Sequence, residues 1–238
     1  MKLDILAFGA HPDDIELSCS ATLAKHIAEG KKVGAIDLTR GELGTRGSAE
    51  IRDQEAKEAS RILGLSIREN LQFRDGFFEN KEDHQLEVIK MIRKYQPEIV
   101  IANAKHDRHP DHARASELVR ESCFLAGLTK IKTKYEGEYQ EAYRPKNLYF
   151  YLQYYFIQPD LVIDTTEYMD KKLESILAYK TQFYDPNSTE PETPISSQSF
   201  LDSIRSRDQE LGRLIQRPYA EGFTVERAIC ANSLFDLK

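Results

Sequence analysis

The first half of the chain alternates short apolar runs with longer amphipathic stretches. Short apolar runs are typical of buried strands, and apolar side chains that recur every three to four residues are typical of helices. Strands are predicted at residues 3–8, 32–39, 70–73 and 98–104. Helices are predicted at residues 16–29, 48–63 and 81–95, with a further helix from about residue 111. This alternation favours right-handed βαβ units, so we predict a Rossmann-like three-layer α/β/α fold with a mostly parallel sheet.

The second half continues with fewer and less regular elements. Strands are predicted at residues 146–153 and 161–163, and helices at residues 166–183 and 200–215. Residues 184–199 are rich in Pro, Ser and Thr and are predicted to form a mobile loop, a candidate lid. No repeat or clear boundary interrupts the chain. We therefore expect one domain over residues 1–238, with a core of about 1–165 and a C-terminal helical and loop extension of about 166–238.

Composition and charge exclude several classes of partner. The chain has 238 residues and a net charge of -6, which gives no general attraction to nucleic acid or to anionic lipid. No apolar run approaches the roughly 20 residues that a membrane helix needs. The three cysteines, Cys19, Cys123 and Cys230, form no CxxC motif and no disulfide framework, which favours a reducing compartment. We expect a cytoplasmic protein that binds neither membrane nor nucleic acid.

Candidate chemistry is concentrated in two short segments that follow predicted strands. His11-Pro12-Asp13-Asp14 follows the first strand, and residues 106–112 (HDRHPDH) follow the fourth. Imidazole and carboxylate groups are ligands for zinc and similar divalent ions. In a sheet wound outward from its first strand, the first and fourth strands are neighbours, and ligands bind beyond their carboxyl ends. One His and one Asp from the first segment and one His from the second would supply three metal ligands.

Each segment alone also has an ordinary structural explanation. The first could be a turn, since Pro fixes φ and Asp is common in turns. In the second, Asp111 could simply cap the following helix. The metal-site interpretation rests on finding both segments at two strand ends that the topology brings together. His26 and His84 lie in helical patterns and are predicted to be ordinary surface or hydrogen-bonded residues.

The adjacent pair Asp13 and Asp14 suggests a division of labour. Two ionised carboxylates this close repel each other, so their environments should differ. A carboxylate bound to a cation stays ionised, whereas its neighbour can accept a proton reversibly. That second property is what a general base acting on metal-bound water needs.

Together, several motifs resemble the PIG-L/LmbE-like N-acetylglucosaminyl deacetylases. They are AHPDD (10–14), LTRGELGTRG (38–47), RDQE (52–55), HPDH (109–112) and YAEGF (219–223). The length of the chain and its HDRHPDH and YAEGF stretches are most similar to the bacillithiol-biosynthesis branch. That branch removes acetate from N-acetylglucosaminyl malate.

The resemblance implies roles for the residues that match the family's motifs. His11, Asp14 and His112 match the zinc ligands, and Asp13 matches the general base. His109 matches the residue that stabilises the oxyanion or protonates the leaving amine. The metal implied is zinc, although Fe(II) suits the same ligands.

Further residues match supporting positions. Asp111 is expected to orient a neighbouring imidazole. Arg52 matches a substrate-binding arginine, whose planar fork suits a carboxylate such as malate or sugar hydroxyls. The alternative for Arg52 is a helix-surface ion pair with Glu55. Weaker candidates for lining the pocket are Glu42, Asp75, Arg108 and Glu221.

These observations predict a zinc-dependent amide hydrolase acting on a small-molecule N-acetylglucosaminyl conjugate. The alternatives are deacetylation of another N-acetyl sugar conjugate, hydrolysis of a phosphoester at the same site, and non-catalytic binding of a metal or sugar. The resemblance also implies a homo-oligomer, hexamers included.

Overall fold

The computed structural model, which describes residues 1–236, is built around a seven-stranded sheet. The strands are β1 (Ile5–Gly9), β2 (Val33–Thr39), β3 (Ile67–Phe73), β4 (Ile99–Ala102), β7 (Asn147–Tyr151), β8 (Leu161–Asp164) and β9 (Ala220–Val225). Their spatial order is β3-β2-β1-β4-β7-β9-β8. The first five in the spatial order are parallel, and β9 runs antiparallel to both of its neighbours. A separate hairpin consists of β5 (Lys134–Tyr135) and β6 (Glu138–Tyr139).

Helices connect the strands and pack on the sheet. They are α1 (Asp14–Ser18), α2 (Ser20–Ala28), α3 (Ala49–Leu63), α4 (Glu82–Tyr95), α5 (Pro110–Ala126), α6 (Met169–Leu177) and α7 (Gln198–Leu214). Short 3-10 turns lie at Thr166–Tyr168 and Leu234–Asp236.

The central strand β1 shows why both faces of the sheet are covered. Successive strand residues point to opposite faces. Leu6 and Phe8 pack in the cluster that includes α4 and α5, whereas Ile5 and Ala7 pack in the cluster that includes α1 and α2. All five residues of β1 are buried. The predicted three-layer α/β/α fold with a mostly parallel sheet is therefore confirmed.

Strand β3 begins three residues earlier than predicted, at Ile67 instead of residue 70. Its first residues look too polar for a strand beside β2. The structure explains this because Arg68 donates to Asp37 at 2.7 and 2.8 Å and also to Glu16. These opposite charges pair with one another inside the protein. The polar residues at the start of the strand therefore did not indicate a buried strand.

The C-terminal region was predicted to contain only helices and loops, but it also contains a strand. Residues 220–225 form β9, which inserts between β7 and β8 and pairs with both. The predicted helix at 166–183 is also shorter, because a 3-10 turn precedes α6 and the helix ends at Leu177. The last part of the chain therefore completes the same sheet.

Glu221 on β9 was a weak candidate for lining the pocket, and the structure places it elsewhere. Its carboxylate accepts backbone N–H groups of Ala21 (3.1 Å) and Thr22 (2.7 Å). These are N–H groups that the first turn of a helix leaves without an internal partner. The predicted single helix at 16–29 is broken at Cys19, and Glu221 stabilises the new start that α2 makes there.

Lys172 joins Glu221 in a fully buried ion cluster. Its ammonium group donates to Asp208 at 2.6 Å and to Glu221 at 2.7 Å, and the Lys172 side chain has no exposed surface. The cluster links α6, α7 and β9 to the start of α2.

Within residues 1–236, no helix has the length and apolar character needed to cross a bilayer.

Replacing Lys172 with Met should lower the free energy of unfolding by about 3–5 kcal/mol, because Glu221 would lose its buried cation and Asp208 would keep only Arg207 Nε, 3.2 Å away. Urea denaturation followed by circular dichroism would measure the change. Lys180→Met is the matched control, since Lys180 is exposed on the same segment of chain. Similar unfolding curves for both variants would show that the buried cluster contributes little to stability.

Candidate functional site

The two predicted segments meet at the carboxyl ends of β1 and β4. These strands pair in parallel, with Ala7 opposite Ile101. Asn103, directly after β4, accepts the N–H of Ala10 at 3.0 Å and donates to Asp14 Oδ2 at 3.0 Å. This amide holds the two strand ends together, as the predicted topology requires.

Two imidazoles converge on the carboxylate of Asp14. His112 Nε2 lies 3.1 Å from Asp14 Oδ1, and His11 Nδ1 lies 3.6 Å from Asp14 Oδ2. Gln153, at the end of β7, also donates to Asp14 Oδ1 at 3.1 Å. Three neighbouring strand ends therefore position the groups around this one carboxylate.

The outer nitrogens of both imidazoles are held by other carboxylates. His11 Nε2 lies 3.0 Å from Asp75 Oδ1 and 3.3 Å from Asp111 Oδ2. His112 Nδ1 lies 2.6 Å from Asp107 Oδ2. When such an imidazole is neutral, the carboxylate accepts its N–H on one side, and the other nitrogen, which here faces Asp14, is free to bind a cation. Metal-binding histidines usually have this arrangement, so the donor set fits a divalent cation.

The ligand atoms of two other groups lie within 4.8 Å of one another: His11, His109 and His112 in one, and His11, Asp75 and Asp111 in the other. A set of three histidines also suits zinc. However, His109 Nδ1 accepts the backbone N–H of Asp111 at 3.2 Å. The neutral ring then carries its proton on Nε2, so His109 is better suited to donate a hydrogen bond than to bind a metal.

The charges around the site favour a cation. Burial lowers the pKa of both His11 and His112, but the neighbouring carboxylates outweigh burial. The pKa of His11 lies well above its usual value, and that of His112 rises to about 9. Burial also lowers the pKa of His109, and here the nearby charges of His11 and His112 act in the same direction. His109 is thus the neutral imidazole of the three.

Asp13 and Asp14 differ in environment, as their adjacency predicts. Burial and the charge of Asp14 raise the pKa of Asp13 to about 7, against the opposing effect of Arg52. Burial would also raise the pKa of Asp14, but His112 and His11 hold it well below its usual value. Asp14 therefore stays ionised near neutral pH, whereas Asp13 can both take up and release a proton.

Arg52 is buried beside Asp13. Its Nη1 donates to the carbonyl of Pro12 at 3.0 Å and to Asp13 Oδ2 at 3.3 Å. The alternative of a surface pair with Glu55 is wrong, because Glu55 instead accepts the N–H and the hydroxyl of Thr181.

The remaining predicted residues divide into those that border the cleft and those behind it. The cleft is a cavity of about 890 Å³, and Asp75 and Arg108 line it. Glu42 was predicted to line it as well, but its carboxylate turns to the backbone N–H of Asp75 at 2.8 Å. Asp111 is fully buried beneath His11, where it can orient that imidazole as expected.

Sequence reasoning missed several groups at this site. Asp107 could have been identified from the sequence, because it lies in the HDRHPDH segment five residues before His112, the histidine that it holds. Asn103 and Gln153 could have been noticed only as polar residues at the ends of neighbouring strands. The apolar wall formed by Phe156, Phe200 and Ile195 comes from distant loops and helices, and no sequence pattern indicated it.

Comparison with known proteins identifies a family match in the first half of the chain. The family described as PIG-L (GlcNAc-PI de-N-acetylase) matches residues 6–123, which include both chemistry-bearing segments. An Escherichia coli (strain K12) protein described as an uncharacterized deacetylase, YaiS, is 35% identical over 125 residues. The match covers 50% of this chain and 67% of that protein.

Two further matches extend over more of the chain. A diacetylchitobiose deacetylase from Thermococcus kodakarensis is 27% identical over 189 residues, covering 75% of this chain and 70% of that protein. The crystal structure of the conserved protein TT1542 from Thermus thermophilus superimposes with a TM-score of 0.86 at 34% identity. The superposition covers 98% of each chain, so the two proteins have the same fold throughout.

Replacing Asp107 with Asn should weaken binding of a divalent cation about 10–100-fold, because the amide no longer fixes the His112 imidazole as strongly. Competition with a chromogenic chelator, using added zinc, would measure this. Asp83→Asn is the control, since Asp83 is exposed on α4. Unchanged affinity in Asp107→Asn would show that the contact with Asp107 does not support metal binding by His112.

Proposed function

The chain belongs to the PIG-L family of deacetylases, and on that basis we propose that it is a zinc-dependent hydrolase that removes the acetyl group from an N-acetylglucosamine conjugate. The observation that carries this proposal is the convergence of His11 and His112 on Asp14, with Asp13 next to them. Three potential ligands and an adjacent proton acceptor are what hydrolysis of an amide by metal-activated water needs.

His11, Asp14 and His112 are the residues that would hold the metal. When bound there, zinc, or Fe(II) with the same ligands, supplies Lewis acidity for the acetyl carbonyl and a water of lowered pKa.

Asp13 is the proposed general base. It accepts one proton from the attacking water, whose oxygen forms a bond to the acetyl carbon. Burial and the neighbouring charge of Asp14 raise the pKa of Asp13 above the usual range of a carboxyl group, which favours uptake of a proton from water. The same proton then passes to the leaving nitrogen as the C–N bond breaks. The second proton of the water passes from the acid product to the amine, so the products are acetate and the protonated amine of the sugar.

His109 is proposed to stabilise the developing negative charge on the acetyl oxygen. Its Nδ1 accepts the N–H of Asp111, so the proton on Nε2 is available to the cleft. A neutral imidazole donor placed beforehand stabilises the oxyanion without reorganising during the reaction. This assignment favours oxyanion stabilisation over protonation of the amine, the other role that the resemblance allows.

The conjugate is proposed to be N-acetylglucosaminyl malate, as in bacillithiol biosynthesis. Arg108 supports this choice because it is exposed in the cleft, with its guanidinium 4.7 Å above the ring of Tyr154. An arginine held on an aromatic face can still bind a carboxylate with its planar fork. Arg207 also lines the cleft, but its guanidinium already donates to the backbone carbonyls of Gln153 and Leu17.

Purified, zinc-loaded protein should release acetate from N-acetylglucosaminyl malate with a higher kcat/KM than from diacetylchitobiose or free N-acetylglucosamine. Arg108→Ala should reduce kcat/KM for the malate conjugate roughly 10-fold, since hydrogen bonds to charged groups are among the stronger ones. It should have little effect on the free sugar.

Arg213→Ala is the control, because Arg213 is exposed on α7 and pairs with Glu210. Absence of acetate from all three substrates would contradict the deacetylase proposal. Preference for diacetylchitobiose, or equal losses on the malate conjugate and the free sugar in Arg108→Ala, would contradict only the malate assignment.

Asp13→Asn should retain zinc but lose activity by about 10²–10⁴-fold, because an amide of the same shape cannot take up the proton. Asp14→Ala should lose zinc and activity together. Elemental analysis and acetate release, measured on the same preparations, would separate the two roles. If Asp13→Asn lost zinc and recovered activity in excess zinc, the roles of the two residues would have to be exchanged.

A further inference from the structure

The proposed base lies in a strained turn. Asp13 has a φ of 114°, a backbone conformation that residues with a side chain rarely adopt. Such a residue persists only where its surroundings hold it in place. Asp13 is the N-cap of α1 but makes no capping hydrogen bond with its side chain, so its carboxylate is available for other contacts.

Arg52 holds both the main chain and the side chain of this turn. It reaches from α3, and a single nitrogen, Nη1, donates to the Pro12 carbonyl and to the Asp13 carboxylate. The side chains of Arg52 and Asp13 are almost completely buried. The pair therefore cannot swing apart freely as an exposed ion pair would.

The glycine-rich loop after β2 gives the guanidinium its space. A Cβ atom on Gly41 would lie 3.0 Å from Arg52 Nη1, and one on Gly44 would lie 3.2 Å from Arg52 Nη2. Both distances are tighter than ordinary van der Waals contact. Gly41 also has a φ of 63°, which favours glycine. The loop is fixed to α3 by the two-pronged contact of Arg40 with Asp53.

We propose that Arg52, seated between Gly41 and Gly44, is a positioning residue that fixes the Asp13 carboxylate for proton transfer, instead of binding the malate carboxylate or sugar hydroxyls as its motif suggests. This inference rests on the proposed function, because it takes Asp13 as the general base. It also gives the glycine loop a purpose in the reaction.

A positioning role and a substrate-binding role have different kinetic consequences. A residue that binds the malate carboxylate matters only for substrates that carry that group, and a residue that binds sugar hydroxyls matters on both substrates whether or not Asp13 can accept a proton. A residue that acts through Asp13 changes kcat on every substrate, and it matters only while Asp13 can accept a proton.

The decisive experiment is a double-mutant cycle on kcat with N-acetylglucosaminyl malate and with free N-acetylglucosamine. Arg52→Ala alone should lower kcat about 10–100-fold on both, because a small misplacement of a catalytic group can cost that much. KM should change by less than about 2-fold. In the Asp13→Asn background, the same substitution should lower kcat by less than about 2-fold, since the two residues act as one unit.

Zinc content should be the same in every variant. Arg61→Ala is the matched control, because Arg61 lies on the same helix and pairs with Glu58 at the surface. It should leave kcat unchanged in both backgrounds. Added guanidinium ion should restore part of the activity of Arg52→Ala and none of that of Asp13→Asn.

Gly44→Ala tests the same idea without removing the arginine, and it serves if Arg52→Ala fails to fold. Its added methyl group would lie 3.1 Å from the Gly41 carbonyl oxygen and 3.2 Å from Arg52 Nη2, so it should shift the loop and the guanidinium together, lowering kcat in the wild-type background and not in Asp13→Asn. The positioning role would be overturned if Arg52→Ala lowered kcat by the same factor with Asp13 intact and with Asp13→Asn. It would also be overturned if the only effect of Arg52→Ala were a higher KM for the malate conjugate. If the unaltered protein releases no acetate, the proposed function fails instead, so the two failures are distinguishable.

Discussion

The site depends on one carboxylate that is shared by two imidazoles from different parts of the chain. Asp14 follows β1 and His112 belongs to the segment after β4, and the two meet because those strands are paired. His11 adds the second imidazole from the same side as Asp14. If this pairing shifted by one residue, the side chains would turn to the other face of the sheet and the donor set would separate.

A ring of further carboxylates gives the imidazoles their direction. Asp75 and Asp111 hold the outer nitrogen of His11, and Asp107 holds that of His112. Asp75 is in turn held by the backbone N–H of Leu43, in the glycine-rich loop. The loop therefore touches the site twice, through Asp75 on one side and through Arg52 on the other. Geometry near the reacting atoms is set largely by residues that never touch them.

Sequence reasoning could predict the layers of the fold and the meeting of the two histidine segments, because both follow from patterns that are local in the chain. Apolar periodicity marks strands and helices, and parallel strands bring their carboxyl ends to one edge. It could not predict β3 at full length or Glu221, because those depend on buried charge pairs with distant partners. A buried Arg68 or Lys172 looks like a surface residue until its partners are known. The same holds for Arg52, whose neighbour Glu55 suggested a surface pair, whereas it is Asp13 that binds it.

The contact between Glu221 and the start of α2 joins positions 200 residues apart in the chain. Both α2 and β7 precede β9 in the chain, so they are synthesised before their partners on that strand. Until then the edge of β7 presents unpaired backbone groups, the kind of surface that invites wrong pairing between chains. Closing such a distant contact is intrinsically slow, because loop-closure entropy is lost before the contact forms. The order of the elements thus makes insertion of β9 the step that closes this part of the sheet, and the edge of β7 stays open until β9 pairs with it.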